Sequence, residues 1–304
     1  MRTWAILAAV VGWCGTIQAG PLDLRQVSAD AKWLVHLDVD AMRQSRLMEK
    51  AYQADSEKWV ELQSWLATAC EEVALDPRAD LHGITFFGKK LGRLEGIAIV
   101  NAKMQPEVMI GRAMAESGYS SSKYGNHKIH SWTDGDATVI GSFYTPSLLV
   151  VARSEPEVRQ ALDVLDGKGA TLASRRSAVV DGVHRMSMAS AWAEGLADAP
   201  LPFPSPAIKK SEAVGIAVDE KGGEVFGTVR LAMQNKDVAQ KMLTALEGMR
   251  SAAVSQYQGN TSMLKILKNL TFSVSEKTVS AALRAPAEDV WSQGTVIFAI
   301  VKGL

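Results

Sequence analysis

The sequence predicts an α+β protein built from two related halves, each a mostly antiparallel sheet with helices packed on one face. Short runs of alternating apolar and polar residues are joined by hairpin turns such as Asp134-Gly135. Helical patterns stand between groups of strands rather than after every strand, which favours antiparallel pairing. The order of strand and helix patterns in the first half also recurs in the second.

The first predicted strand is the alternating run at 33–40, and Asp40 is positioned to cap a helix near 41–52. The apolar face of this strand, expected to be its buried face, carries Val35, Leu37 and Val39. A second helix is predicted near 56–74 because apolar residues recur there at helical spacing. This stripe comprises Trp59, Leu62, Leu66, Cys70 and Val73.

The same alternation of strands and helices continues to residue 168. The pattern predicts strands at 82–88, 95–102 and 148–152, a helix at 105–117, and a hairpin over 126–144. Another helix begins after Ser154, which forms a capping box with Glu157 and is followed by Pro156 in the first turn. Gly167 is placed to end that helix.

The second half repeats parts of the first. The similar pairs of segments are 102–114 with 231–243, 152–158 with 283–289, and Val35-His36 with Val183-His184. We interpret them as an internal duplication, with chance similarity between two α+β halves as the alternative. The predicted organisation is a first repeat at 20–168, a linker at 169–177 and a second repeat at 178–304.

The second repeat differs from the first in one connection. Hairpins are predicted from 213–218 with 224–232 and from 270–275 with 278–284. The proline-rich stretch at 199–206 takes the place of the helix at 56–74, and its composition predicts an extended connector.

Residues 1–19 have the three parts of a secretory signal peptide. Arg2 precedes an uncharged apolar run, and Ala19 provides a small residue at the expected cleavage point. No later apolar run is long enough for a membrane span, since 296–301 contains six residues. We therefore expect an exported protein, periplasmic or extracellular, without an integral membrane segment after cleavage.

The composition excludes some classes of function. Lys plus Arg equals Asp plus Glu at 33 each, so no basic excess indicates nucleic-acid binding. Two cysteines exclude a disulfide framework. Cys70 lies in the apolar stripe of its predicted helix, which is typical of a small buried side chain rather than of a reactive thiol.

His36, Asp38 and Asp40 form the one sequence-local cluster of side chains able to bind a metal. Successive members on one strand face stand about 6.8 Å apart, so adjacent pairs could converge on one ion. The second repeat has Met186 and Met188 at the positions of the two aspartates, and Asp40 has a separate use as a helix cap. We therefore interpret the cluster as a solvated strand face and keep a metal or acid–base site as the alternative.

The remaining histidines give no site. His127 and His130 are three residues apart on a predicted strand, which places them on opposite faces. His82 and His184 have no ligand-spaced partner nearby. The sequence thus predicts no cofactor and no established catalytic group.

Four segments resemble a group of bacterial exported proteins of unknown function. They are AKWLVHLDVDAMRQS at 31–45, LDPRADLHGITFFG at 75–88, NHKIHSW at 126–132 and ALDVLDGK at 161–168. Members of this group open the mature chain with an alternating strand that ends in Asp-x-Asp. The resemblance covers roughly 31–168 and implies an envelope-side location, but no activity and no site residues.

Three functions are compatible with these patterns. The sequence has no G-x-S-x-G elbow, P-loop, Rossmann glycine motif, H-E-x-x-H or C-x-x-C. This favours an exported, non-enzymatic module that binds an envelope protein or other envelope component, at the His36 face or between the two repeats. The alternatives are a carrier of an apolar ligand, suggested by the methionine-rich helices, and a hydrolase or metal enzyme whose site is assembled from distant residues.

Overall fold

A computed structural model describes residues 21–53, 75–76, 78–91, 96–134, 137–175, 187–196 and 206–294. Several predictions lie outside these residues: the signal peptide, the helix at 56–74 with Cys70, the segment around His184, and nearly all of the proline-rich connector. They remain predictions.

The described strands form one antiparallel sheet of twelve strands. Their bounds are β1 Trp33–Asp38, β2 Leu81–Gly88, β3 Ile97–Ala102, β4 Ser120–Tyr124, β5 His127–Asp134, β6 Ala137–Thr145, β7 Leu148–Ala152, β8 Ala189–Glu194, β9 Ser211–Lys221, β10 Glu224–Met233, β11 Leu270–Ser275 and β12 Thr278–Pro286. The order across the sheet is β11-β12-β10-β9-β8-β1-β2-β3-β7-β6-β5-β4. The central pair of the sheet is therefore β1–β2, and β8 is the other neighbour of β1.

The described helices lie mainly between groups of strands, as the sequence predicts. They are α1 Val39–Arg43, α2 Arg46–Gln53, α3 Pro106–Ala115, α4 Glu155–Leu165, α5 Pro206–Lys209, α6 Lys236–Gln256 and α7 Thr261–Asn269, with a further helix, α8, at 287–294. Leu172–Ser174 forms one 3-10 turn. The coarse prediction of an α+β fold with antiparallel strands is confirmed.

Differences from the predicted elements have local causes. Neither β4 nor β8 was predicted, because SSSKY contains no alternating apolar residues and ASAWAE consists mostly of small residues. The first strand ends at Asp38, two residues before the predicted end, because Asp38 and not Asp40 caps the following helix. That helix is also interrupted: Gln44 ends α1, and α2 begins at Arg46.

The two faces of the sheet follow from the strand register, since directly opposed residues of an antiparallel pair project to the same side. Leu34 on β1 is opposite Phe87 on β2 and Trp192 on β8, and we name this side face A. Val35 is opposite Phe86, and we name their side face B.

Helices cover both faces, which corrects the prediction of helices on one face. On face A, Val158 and Leu162 of α4 pack in the same buried cluster as Ile99 and Val150. On face B, Leu246 of α6 packs in a second cluster with Val214 and Leu231 of β9 and β10. The reason lies in strands such as LHGITFFG and IAIVNA, where adjacent apolar residues put apolar side chains on both sides.

The expected burial of β1 is reversed. Leu34, His36 and Asp38 are buried, whereas Val35 is 37% exposed. Alternation fixes which residues share a face but not which face the rest of the chain covers. Here α4 and the segment containing Leu22 cover face A near β1.

The core is shared between the two predicted repeats. Trp192 and Ala213 of the second repeat lie in the same cluster as Leu34 and Phe87 of the first. Leu172, from the predicted linker, is fully buried in this cluster. Together with the β1–β8 pairing, this makes the sheet continuous across the predicted boundary.

Candidate functional site

The three members of the predicted ligand cluster have separate surroundings. His36 is 3% exposed on β1, and its Nδ1 lies 2.9 Å from Oγ1 of Thr85 on β2. Burial lowers the pKa of His36 to about 4. The imidazole is therefore neutral at pH 7 and shares a hydrogen bond with a hydroxyl group.

Asp38 has a structural partner. Its Oδ1 accepts a hydrogen bond of 2.9 Å from the backbone N–H of Ala41 at the start of α1. Burial raises the pKa of Asp38, and the bond from Ala41 opposes that shift. This carboxylate satisfies one of the free N–H groups at the helix N-terminus.

Asp40 lies on the first turn of α1 rather than on the strand. Its Oδ1 accepts a hydrogen bond of 2.6 Å from Nη1 of Arg43, and its Oδ2 lies 3.1 Å from Nδ1 of His82. The backbone passes from strand to helix after Asp38, so the two-residue period that would align Asp40 with His36 is lost. Among the residues that the structure describes, no three His, Cys, Asp or Glu side chains are grouped as metal ligands.

His127 and His130 have different partners, consistent with their predicted placement on opposite faces of β5. Nε2 of His127 lies 3.0 Å from Oδ1 of Asp166, and its ring stacks on Tyr144. Nδ1 of His130 lies 2.9 Å from the hydroxyl oxygen of Tyr119. These contacts tie the outer strands to neighbouring segments, and the two histidines form no common site.

A different feature, an exposed apolar row, crosses the centre of face B. It consists of Phe86, Val35, Ala191, Ile216 and Val229, which are directly opposed in sequence across β2, β1, β8, β9 and β10. The four large members are 42%, 37%, 38% and 36% exposed, in the order Phe86, Val35, Ile216 and Val229. With neighbouring strands about 4.8 Å apart, this central row is about 19 Å long.

A second apolar row runs beside it. It consists of Ile84, Leu37, Ala189, Val218 and Gly227, paired across the same five strands and all half-buried. Two adjacent rows without a polar side chain make a continuous apolar surface. Contiguous exposed apolar surface of this kind marks interaction sites on proteins.

Packed helices border this surface at two opposite corners. At one corner, Met109 of α3 packs with Ile84 and Val100 in a third cluster. At the other, Leu246 of α6 packs with Val214. The central row thus lies between two helix-covered regions, at the junction of the two predicted repeats.

Sequence reasoning missed this row because its members come from five strands distant in the chain. Each strand alone shows which of its residues share a side, but not which residues of the other strands lie beside them. The sole signal in the sequence is that β1, β2 and β9 carry apolar residues on both sides. That pattern indicates that both faces of these strands lie against other apolar groups. It does not indicate which residues of different strands align.

No helix within the described ranges is both long enough and apolar enough to cross a membrane.

Comparison with known proteins gives a likeness in fold. The sequence matches no protein-family model and no characterised protein sequence. The fold is similar to the structure of crystal form IV of TP0453, with 11% sequence identity and a TM-score of 0.50. The match covers 91% of this chain and 98% of that one. Crystal form III of TP0453 gives 11% identity and a TM-score of 0.47, covering 89% and 97% of the two chains. At this identity the likeness concerns the fold alone.

Proposed function

We propose that this protein is an exported, non-enzymatic binding module of the bacterial cell envelope, and that it binds a partner protein through the central row on face B. The observation that carries the proposal is the alignment of Phe86, Val35, Ile216 and Val229, all more than a third exposed, on one sheet surface. Removing such apolar area from water provides a favourable free energy of association.

The shape of the surface supports recognition of a protein side-chain surface. The row is open to solvent at the centre of a sheet rather than enclosed by side chains. Pockets for small ligands bury most of the ligand's surface, which an open row does not do. An apolar ridge or helix of a partner can lie along such a row.

The polar groups predicted as alternatives support the non-enzymatic interpretation. His36 is held by Thr85 and Asp38 by the N-terminus of α1, so each has a structural partner. Asp40 is paired with Arg43 and His82. We therefore place the binding surface on face B and not at these residues.

Site-specific photo-crosslinking in the producing cell tests the binding surface. A photoreactive amino acid at Phe86 or Ile216 is expected to crosslink to one identifiable envelope protein. The matched control is Val108, which is 38% exposed but lies on α3 outside the row. Crosslinks of equal yield at all three positions, or none at Phe86 and Ile216, would contradict the proposal.

Export has a separate test. We expect the mature protein to begin at Gly20 and to fractionate with the periplasm or the medium. N-terminal sequencing that reads Met1 in the mature protein would contradict export while leaving the binding surface unaffected.

A second candidate function is carriage of an apolar ligand, as methionine side chains border the row. Met104 and Met109 lie in the third cluster and Met242 lies against the second. Methionine is flexible and adapts to apolar ligands of irregular shape. Native mass spectrometry of the purified protein distinguishes the two candidates, because only a carrier is expected to retain a lipid-like ligand.

We also propose that the two halves arose by duplication, and the strand order supports this. The first half runs β1-β2-β3 with β7 and β6 beyond, and the second runs β8-β9-β10 with β12 and β11 beyond. The β4–β5 hairpin is then an insertion in the first half. Poor superposition of the five equivalent strand pairs in a crystal structure would contradict the proposal.

Two of the three similar pairs of sequence segments agree with that correspondence, whereas Val183-His184 lies outside the described residues. Segment 102–114 covers the end of β3 and α3, and 231–243 covers the end of β10 and the start of α6. Likewise, 152–158 joins β7 to α4, and 283–289 joins β12 to α8. These two pairs therefore fall at equivalent strand-to-helix junctions.

A further inference from the structure

Face A of the same central strands contains polar side-chain atoms that are buried without a hydrogen-bond partner. In the part of the chain that the structure describes, they are Nε2 of His36, Nε1 of Trp192 and Nε of Arg230. A buried donor left unpaired costs about 1–3 kcal/mol. Such groups in folded proteins therefore call for an explanation, of which a bound ligand is one.

The strand register places two of the residues that carry these donors on the same face, two strands apart. Trp192 on β8 is opposite Gly215 on β9, and Gly215 is opposite Arg230 on β10. The Cα atoms of Trp192 and Arg230 are thus about 9.6 Å apart, two strand spacings. Gly215 has no side chain of its own, so no side chain of β9 separates the indole from the guanidinium.

The chemistry of the pair selects an acceptor. Indole N–H and guanidinium N–H groups only donate hydrogen bonds. Within the described residues, no carboxylate lies within ion-pair distance of Arg230. Ser280 lies directly opposite Arg230 on β12, on the same face but on the side of Arg230 away from Trp192. A half-buried cation and an indole N–H form a donor set suited to an oxyanion.

Nearby charges distinguish the Trp192–Arg230 end from the His36 end. His36 is two residues from Asp38, whose pKa is raised by burial and by the charges of Asp40 and Asp219. These carboxylates disfavour an anion beside His36. Glu194, two residues beyond Trp192, is engaged by Arg175 and Lys32.

The geometry points to an oxyanion-binding site between Trp192 and Arg230 on face A, which accepts the carboxylate or phosphate group of a ligand. This site lies on the opposite side of the sheet from the central row and is independent of the partner-binding proposal. Arg230 is half-buried, so its guanidinium provides the solvent-facing side of the site. The indole of Trp192 provides the inner side, since Trp192 is 1% exposed.

NMR titration of the full mature chain tests this inference. The indole N–H resonance of Trp192 is assigned by its loss in W192F. Sodium phosphate and sodium acetate are then added separately, with sodium chloride at matched ionic strength as the reference. We expect a saturable shift of the Trp192 resonance with at least one oxyanion and none with chloride. A response to phosphate alone or to acetate alone identifies which group is recognised.

Two variants provide the comparison. R230Q is expected to weaken the oxyanion response at least tenfold, because it removes the charge and the Nε donor. Arg284 lies on the same face of β12 but is exposed and paired with Glu224, so R284Q is expected to leave the response unchanged. If the other indole N–H resonances keep their wild-type chemical shifts, each variant is folded.

Absence of any oxyanion-specific shift in the wild type would overturn the site, as would an equal response in R230Q. If R230Q does not fold, R230K replaces it. Lysine keeps the charge but loses the planar donor group, and a weaker response is still expected. An R230K response equal to that of the wild type would also count against the site.

Discussion

The buried imidazole of His36 couples the stability of the fold to pH. The folded protein holds its pKa at about 4, whereas the ordinary value is 6.5. Unfolding therefore takes up a proton between these two pH values, and the free energy of unfolding falls as the pH is lowered through this window. Relative to pH values below about 4, the neutral imidazole of His36 adds about 3 kcal/mol to the free energy of unfolding, and this difference is complete above pH 6.5.

Chemical denaturation of H36N at several pH values tests this coupling. Asparagine can still bond to Thr85 but does not titrate, so the part of the pH dependence between 6.5 and 4 that comes from His36 should disappear. H82N is the control, because His82 is only partly buried and His36 stays in place. The same pH slope in H36N as in the wild type would contradict the expectation.

Asp38 contributes through its acceptor oxygen rather than through its charge. D38A removes the cap of α1 and is expected to lower the free energy of unfolding by about 1 kcal/mol. Because burial raises the pKa of Asp38, its ionisation as the pH rises costs the folded state free energy. D38N keeps the acceptor without the charge, so at pH 7 it should be at least as stable as the wild type. Equal destabilisation by D38A and D38N would argue against this account.

At the scale of single elements, the entry into β3 depends on a close backbone approach at Gly96. A Cβ there would lie 2.5 Å from the carbonyl oxygen of Phe87 and 3.0 Å from the Trp33 ring. G96A is expected to cost about 1–3 kcal/mol because backbone atoms have to move. In α3, nothing lies within 4 Å of a Cβ on Gly111, so G111A is expected to stabilise by up to about 1 kcal/mol.

Denaturant midpoints of the two glycine variants test this pair together. The physical contrast is between a substitution that meets a strand backbone and one that adds helix propensity on an open surface. A G96A variant with the midpoint of the wild type would show that β2 and β3 separate easily at this point.

At the scale of the whole molecule, the two predicted repeats are joined by backbone pairing and by a shared core. β1 pairs with β8 over five residue pairs, and Trp192 lies in the cluster that contains Leu34 and Phe87. If the two predicted repeats were separated, β1 and β8 would each become an unpaired edge strand, and the apolar surface that spans them would be divided.

Co-expression of two fragments, 20–175 and 176–304, tests this dependence. We expect a one-to-one complex when both are present, and poor solubility or loss of cooperative unfolding when either is alone. Size-exclusion chromatography and thermal unfolding measure the two outcomes. Two fragments that each unfold cooperatively at the midpoint of the full chain would contradict the expectation.

Local structure and the order of its elements could be predicted from the amino-acid sequence. Alternation predicted the described strands except β4 and β8, and Ser154 followed by Pro156 located the start of α4. The turn residues between β9 and β10 and between β11 and β12 fixed the hairpins. These features depend on neighbours in the chain, which is why a single sequence contains them.

Which faces are buried, and which residues of different strands lie beside one another, follows only from the three-dimensional packing. Alternation placed His36 with Asp38 and opposite Val35 but could not say that α4 would cover the histidine side. The central row and the Trp192–Arg230 pair each join strands far apart in the chain. Their alignment depends on strand order and register, and no interaction between chain neighbours encodes either.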